Sequence, residues 1–96
     1  MRILVVEDDP AISLPLRKTL EREGYQVCVC DEGRPALDFV QSWVPDVVLL
    51  DVQLPDMNGH DIARAVRNFS SVPIIMVTGR GEIEDKVGGL DAGAND

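Results

Sequence analysis

Apolar positions along the chain follow two alternating patterns, and the first is a short run of consecutive apolar residues. Such runs, rich in Val, Ile and Leu, are typical of strands buried on both faces of a sheet. They predict strands over residues 2–6, 46–51 and 73–78. Residues 25–30 instead alternate between apolar and polar positions, which favours a strand at the edge of the sheet.

The second pattern is an apolar residue at every third or fourth position, which predicts amphipathic helices between the runs. Four sets of apolar residues show this spacing, and each would form the apolar stripe of one helix: Ile12, Leu16 and Leu20; Leu37, Val40 and Trp43; Ile62, Val66 and Phe69; and Ile83, Val87 and Leu90. Asp9 can cap the first helix with Pro10 at its first position, and Gly24 ends it. Pro15 lies inside this helix and removes a hydrogen bond, so we expect an irregular first turn.

Strands and helices that alternate in this way predict βαβ units. The fold class is therefore α/β, with a parallel sheet covered by helices on both faces. The 96 residues are enough for one small domain. They are 45% hydrophobic but only 4% aromatic, so the core must be built from aliphatic side chains.

Charge and hydropathy argue against several functions. The formal net charge of −8 disfavours nucleic-acid binding by this segment, because contact with phosphates needs clustered Lys and Arg. No apolar run approaches the roughly 18 residues of a membrane span. The first apolar run meets Glu7 too early for a signal peptide. We therefore expect a cytoplasmic protein that makes no membrane contact.

The two cysteines, Cys28 and Cys30, lie in one predicted strand. Their side chains should point to the same face, and they are too close in sequence to form a disulfide easily. A metal site at the cysteines would need more partners than the lone His60. We interpret both as small buried hydrophobic residues in a reducing compartment.

Polar residues follow three of the predicted strands at the point where each strand ends. Glu7, Asp8 and Asp9 follow the first strand, Asp51 ends the third, and Thr78 ends the fourth. In an open parallel sheet, ligands bind outside the carboxyl ends of the strands. These side chains should therefore converge on one crevice.

The chemistry of such a crevice depends on its carboxylates. Glu7, Asp8 and Asp51 would repel one another, and a hard divalent cation such as Mg²⁺ would remove that repulsion. The open positions of the cation could hold phosphate oxygens. Asp51 could then attack a phosphorus atom as a nucleophile and give an aspartyl phosphate. Thr78 could donate a hydrogen bond to a phosphoryl oxygen.

Three segments resemble motifs of the receiver domain of two-component response regulators. Residues 5–9 are similar to the acidic pair after the first strand of that family, and residues 51–59 resemble its signature D-x-x-x-P-x-M-x-G. Thr78 and Gly79 resemble its hydroxyl residue followed by a small residue. The spacings also fit, and the resemblance covers essentially the whole chain. It implies a flavodoxin-like, doubly wound parallel sheet of strand order 2-1-3-4-5.

The resemblance also implies a role for each residue of the crevice. Asp51 would accept a phosphoryl group from a sensor histidine kinase. Asp8 would bind Mg²⁺ or Mn²⁺ directly, Glu7 would bind it through water, and the backbone carbonyl of Gln53 would complete the protein ligands. Thr78 would contact the phosphoryl group.

Other positions receive simpler interpretations. The resemblance implies that Pro55 and Gly59 shape the loop and start the next helix. Asp9 is better explained as a helix cap than as a ligand. We expect His60 to be exposed, because the donor histidine of this family belongs to the kinase. Residues 84–94 resemble the fourth-helix region of regulators with a winged-helix DNA-binding domain, which suggests transcription control by the full-length protein.

The sequence departs from the family at its C-terminal end. The family continues with a fifth strand, a Lys-Pro pair and a fifth helix, whereas this sequence ends at Asp96. We therefore expect a receiver domain over residues 1–96 that is incomplete and lacks the Lys that contacts the phosphoryl group. Lys86 is no substitute, because it lies in the fourth helix pattern. An unpaired strand over residues 73–78 would favour self-association, for example as a homodimer.

Alternative functions remain at this point. Asp51 taken alone is more simply a strand-end cap, and Thr78 a plain strand residue. Phosphatases of the haloacid-dehalogenase type also use an Asp nucleophile with Mg²⁺, but they typically carry a second Asp two residues later, where this chain has Gln53. A receiver-like module used only for protein contacts would often lack one of the acidic residues. We therefore expect a phosphoacceptor domain and not an enzyme.

Overall fold

Seven elements alternate along the chain in a computed structural model that describes residues 1–77. They are β1 (Arg2–Val6), α1 (Pro10–Arg22), β2 (Gln26–Cys30), α2 (Gly33–Trp43), β3 (Val47–Asp51), α3 (Gly59–Arg67) and β4 (Ile74–Val77). The predicted strands are thus confirmed to within a residue, except that the predicted end of the fourth strand at Thr78 lies outside the described residues. The predicted fourth helix lies outside the described residues.

The four strands form one parallel sheet in the order β2-β1-β3-β4. This confirms the α/β class and the doubly wound order inferred for these strands. β2 lies at one edge, as its alternating pattern predicts. In the centre, Val5 pairs with Val29 on one side and with Leu49 on the other, and Asp51 pairs with Val77 at the far end of β3.

The core has two parts because successive strand residues point to opposite faces of the sheet. One part packs under α2 and α3, and the other packs under α1. The first contains Leu4, Val6, Leu50, Ile62 and Val66. The second contains Ile3, Val5, Leu49 and Leu20. Since β1 and β3 are covered on both faces, their ends are held firmly relative to each other.

Both cysteines belong to the core part under α2 and α3, where Cys30 is buried and Cys28 packs against it. They are unpaired thiols on the same face of β2, as predicted. Burial is the main cause that raises the pKa of Cys30 to about 11. The two residues therefore act as small apolar side chains.

Helix α1 runs without interruption through Pro15, so the predicted irregular turn is wrong. Asp9 caps the helix as expected, accepting a hydrogen bond from the Ala11 amide at 2.9 Å, and Pro10 is its first residue. Ile12, Leu16 and Leu20 pack on the sheet on both sides of Pro15. Tertiary packing thus maintains the helix although Pro15 supplies no amide donor.

Helix α3 ends at Arg67, before the last residue of its predicted stripe. Ile62 and Val66 are buried, but Phe69 lies beyond the helix and is 42% exposed. The Asn68 and Phe69 amides donate to carbonyls only three residues earlier, at 3.2 Å and 3.1 Å, so the last turn tightens where the helix ends. No helix within residues 1–77 is long and apolar enough to cross a membrane.

Val44, which follows α2, has φ 53° and ψ 68° and is 63% exposed. The left-handed region costs an L-residue about 1–2 kcal/mol, whereas the entropic cost of placing Gly there is about 0.5–1 kcal/mol. We predict that Val44→Gly raises the free energy of unfolding by about 0.5–1 kcal/mol, measured by urea denaturation.

The control is Val44→Ala, which removes the branched side chain but keeps the Cβ atom that causes the strain. It should give no such gain. Equal stability of the two variants would show that backbone strain at this position is not the cause.

Candidate functional site

An open pocket of about 570 Å³ lies at the carboxyl ends of β1 and β3. Glu7 and Asp8 line it from the loop after β1, and Asp51, Gln53 and Pro55 line it from the end of β3 and the following loop. The parallel register explains this arrangement, because Val6 at the end of β1 pairs with Leu50. The residues that follow the two strands therefore meet at one edge of the sheet.

The three carboxylates predicted to converge do so. Glu7, Asp8 and Asp51 each place one carboxylate oxygen within 4.8 Å of the others. Glu7 is buried, Asp51 is half-buried and Asp8 is exposed. The cluster thus extends from the protein interior to the solvent, and its outer part is open to a ligand.

The buried carboxyl of Glu7 is the electrostatically unusual group of the site. Burial is the largest cause that raises its pKa to about 7; the nearby Asp51 charge also raises the pKa, and a hydrogen bond from the Asp9 amide lowers it. That amide donates to the Glu7 carboxylate at 3.0 Å. In the absence of a cation, the Glu7 carboxyl is therefore partly protonated near neutral pH.

Asp51 accepts a hydrogen bond from the backbone amide of Gln53 at 3.3 Å, which is longer than usual for an N–H donor. This local bond is the contact expected of a strand-end cap. It occupies one oxygen only, so the carboxylate retains acceptor capacity toward the pocket.

The loop between Asp51 and α3 is folded tightly on itself. The Gly59 amide donates to the Val52 carbonyl at 2.7 Å, and Gln53 pairs with Asn58 in an isolated antiparallel bridge. A Cβ atom on Gly59 would collide with the Asp51 carbonyl oxygen and lie 2.8 Å from the Val52 Cα. Only glycine therefore allows α3 to start so close to the end of β3.

Two residues of this loop cap helices, and neither role was predicted from the sequence. Asn58 accepts a hydrogen bond from the His60 amide at 2.7 Å and so caps α3. Asp56 accepts hydrogen bonds from the first amides of α2, which lie more than 20 residues away in sequence. The first role follows the usual preference for Asn before a helix. The capping of α2 by Asp56 cannot be predicted from neighbouring residues. The sequence shows only that the residue before α2, Glu32, is a poor helix cap.

The remaining predicted site residues lie as follows. Gln53 lines the pocket, Asp9 serves as a helix cap, and His60 is exposed. Thr78 lies outside the described residues, as do Lys86 and the whole of residues 84–94. Val77, which pairs with Asp51, is the last residue that the structure describes and lines the same pocket.

Comparison with known proteins now decides the family. A family model described as "Response regulator receiver domain" matches residues 3–96. The chain belongs to this family. It is therefore a receiver domain of two-component signal transduction, as the motifs around Asp51 indicate.

Related receiver domains occur in DNA-binding regulators. The DNA-binding response regulator MtrA of Mycolicibacterium smegmatis is 46% identical over 95 residues, which are 99% of this chain and 42% of that protein. The response regulator MprA of Mycolicibacterium vanbaalenii is 43% identical over 97 residues, covering 100% of this chain and 42% of that protein. The chain thus spans less than half the length of these curated relatives.

A solved receiver domain has the same fold. The BeF3-activated N-terminal receiver domain of Klebsiella pneumoniae RstA matches with a TM-score of 0.81 and 30% sequence identity, covering 100% of this chain and 82% of that chain. The comparison supports the flavodoxin-like receiver fold.

Receiver domains generally bind Mg²⁺ at an acidic pocket, and the donor set found here fits such a cation. Its donors are carboxylate oxygens, which hard divalent cations prefer. The Glu7 carboxyl has a raised pKa because it is buried beside the Asp51 carboxylate. A cation would reduce the repulsion between them.

The raised pKa of Glu7 predicts a pH-dependent stability in the absence of divalent cations. Its folded-state pKa is about 7 against an ordinary value of 4.5. The stability gained from this proton is therefore complete below the ordinary value and is lost as the pH rises through about 7. In EDTA, Glu7→Gln should raise the melting temperature more at about pH 8 than at about pH 5.

Glu32→Gln serves as the control for this experiment, because Glu32 is exposed and makes no capping hydrogen bond. Its melting temperature should follow that of the wild type at both pH values. A Glu7→Gln effect of the same size at both would contradict the assignment.

Proposed function

We propose that this receiver domain accepts a phosphoryl group on the Asp51 carboxylate from the phosphohistidine of a sensor histidine kinase, in a Mg²⁺-dependent reaction. The observation that carries the proposal is the acidic cluster itself. Asp51 ends a central strand with a carboxylate oxygen within 4.8 Å of those of Glu7 and Asp8, at the edge of an open pocket. This is the arrangement that a cation-assisted carboxylate nucleophile needs.

The proposed step is a direct transfer. A carboxylate oxygen of Asp51 attacks the phosphorus atom, the bond between phosphorus and the imidazole nitrogen breaks, and its electron pair returns to the imidazole. The product is an acyl phosphate on Asp51. A cation held by the acidic cluster would supply positive charge that neutralises the transferred group.

The protein ligands are assigned as follows. Asp8 and Asp51 would bind Mg²⁺ or Mn²⁺ directly, Gln53 would contribute its backbone carbonyl, and Glu7 would act through water. The exposure of Asp8 and the burial of Glu7 are consistent with this division. We retain Thr78 as a donor to the phosphoryl group on sequence grounds alone.

Two alternatives are less well supported. A phosphatase of the haloacid-dehalogenase type would need an acid/base Asp two residues after the nucleophile, and Gln53 has no ionisable side chain to serve there. A domain used only for protein contacts has no need of clustered carboxylates, which carry an electrostatic cost. We therefore infer a phosphoacceptor domain that is not itself a turnover enzyme.

We further infer that the longer protein regulates transcription from the cytoplasm. The support is that relatives such as MtrA are DNA-binding response regulators, of which this chain matches 42%. With its net charge of −8, the chain itself is unsuited to DNA, so DNA contact would come from an output domain outside these residues. Homodimer formation stays a prediction, and we propose no membrane partner.

The nucleophile assignment predicts a single site of phosphorylation. In Mg²⁺ and acetyl phosphate, intact-mass spectrometry should show the wild type gaining the mass of one phosphoryl group, and Asp51→Asn should gain none. Asp38→Asn is the control, because Asp38 is an exposed carboxylate on α2. Equal incorporation into wild type and Asp51→Asn would refute the assignment.

The cation assignment predicts a metal-dependent gain in stability. A ligand that binds only the folded state at about 100 times its Kd adds about 2.7 kcal/mol to the free energy of unfolding. Mg²⁺ should therefore raise the melting temperature of the wild type, and Asp8→Asn should abolish most of that shift.

Asp9→Asn is a matched control for this melt. It removes a neighbouring charge, but Asn caps a helix about as well as Asp. The variant should therefore keep most of the Mg²⁺ shift. If Asp8→Asn kept the shift as well, Asp8 would not be a ligand.

A further inference from the structure

Helix α2 is capped by a side chain from a distant loop. The amides of Gly33 and Arg34 donate to the two carboxylate oxygens of Asp56 at 2.7 Å and 3.0 Å. Glu32, which directly precedes the helix, makes no capping hydrogen bond with its side chain. These two hydrogen bonds also lower the pKa of Asp56, which shows that they favour its charged form.

The loop that carries Asp56 also carries the proposed carbonyl ligand. Asp56 lies between Gln53 and Asn58, which pair across the loop in the antiparallel bridge. The loop is thus fixed at its base by this bridge and at its tip by α2. Movement of the tip would be passed to Gln53, because only Leu54 and Pro55 separate the two positions.

Packing at the tip is close as well as polar. A Cβ atom built on Gly33 would lie 3.1 Å from the Cβ atom of Met57. It would also overlap the side chain of Ile62 on α3. The loop therefore lies directly on the start of α2, where the bidentate hydrogen bonds of Asp56 give it a defined orientation.

We propose that Asp56 is a positioning residue for the cation site, holding the loop of residues 52–58 on the N-terminus of α2 so that the Gln53 carbonyl faces the acidic cluster. The inference rests on the proposed function, in which that carbonyl is a ligand. Asp56 itself does not touch the cation. Asp56 increases the affinity for the cation because the loop is already ordered before the cation binds. Binding then does not have to include the cost of ordering the loop.

A capping role alone would have different consequences. Loss of a cap lowers the stability of the fold but leaves the affinity of a separate site unchanged. Loss of a residue that orients a metal ligand lowers the metal affinity itself, typically by about 10- to 100-fold. The Kd for Mg²⁺, measured on folded protein, therefore separates the two roles.

The experiment compares Asp56→Ala with Asp46→Ala by isothermal titration calorimetry with MgCl₂. Asp46 is a matched control, because its carboxylate also accepts a backbone amide hydrogen bond, from Arg2 at 2.7 Å. It lies at the opposite end of the sheet, where β1 and β3 begin. Each variant loses one negative charge and the amide hydrogen bonds of one carboxylate. The two variants therefore have the same net charge and can be compared directly.

Asp56→Ala should weaken Mg²⁺ binding by about tenfold, and Asp46→Ala should change it by less than about twofold. Asp56→Asn, which keeps one carbonyl acceptor, should give an intermediate affinity. That variant also serves where Asp56→Ala fails to fold. Unchanged affinity in a folded Asp56 variant would overturn the positioning role.

A second readout does not depend on the affinity. Binding is reciprocal, so Mg²⁺ should slow hydrogen exchange at the Gly33 and Arg34 amides in the wild type, and this effect should vanish in Asp8→Asn. Hydrogen-exchange rates at these amides that do not change on addition of Mg²⁺ would contradict the proposal. Failure of the wild type to bind Mg²⁺ would overturn the proposed function together with this inference, whereas binding that is insensitive to Asp56 would overturn this inference alone.

Discussion

Repulsion among carboxylates at one edge of the sheet is the constraint on which the site depends. Glu7, Asp8 and Asp51 are forced together because β1 and β3 are neighbours in parallel register. Such a cluster is costly unless a proton or a cation lowers its charge. In the absence of a metal the buried Glu7 carboxyl supplies that proton, as its pKa of about 7 indicates. The proposed binding of a cation at this edge would therefore be coupled to release of that proton.

The cluster can exist only because the rest of the sheet compensates for it. Ile3 and Leu4 of β1 and Leu50 of β3 are completely buried, and helices cover both faces. Burial of aliphatic side chains contributes roughly 1.5–3 kcal/mol each, so these three together outweigh the cost of one perturbed carboxyl. The same packing prevents the ends of β1 and β3 from separating, which would otherwise be the simplest way to relieve the repulsion.

Much of this architecture could be predicted from the sequence, because strands buried on two faces and amphipathic helices leave clear periodic signals. The rule that ligands bind at the carboxyl ends of parallel strands also predicts from the sequence that Glu7, Asp8 and Asp51 lie together. The failures have a common physical cause. Pro15 is unfavourable inside a helix, but tertiary packing keeps α1 continuous through it. Phe69 continues the apolar spacing of α3, although the helix has already ended at Arg67. Local patterns do not contain that information.

Asp56 shows the same limit at the site itself. Its partners on α2 are distant in sequence, and nothing in the residues around it distinguishes a carboxylate in solvent from one that caps a helix. The structure shows that the stretch 51–59 ends a central strand, caps α2 through Asp56, caps α3 through Asn58 and starts α3 at Gly59. Both helices are therefore capped by side chains of the loop that follows Asp51. Besides the Gln53–Asn58 bridge, the loop is fixed by hydrogen bonds to the first amides of α2 and α3, so a movement of the loop would disturb the capping of both helices.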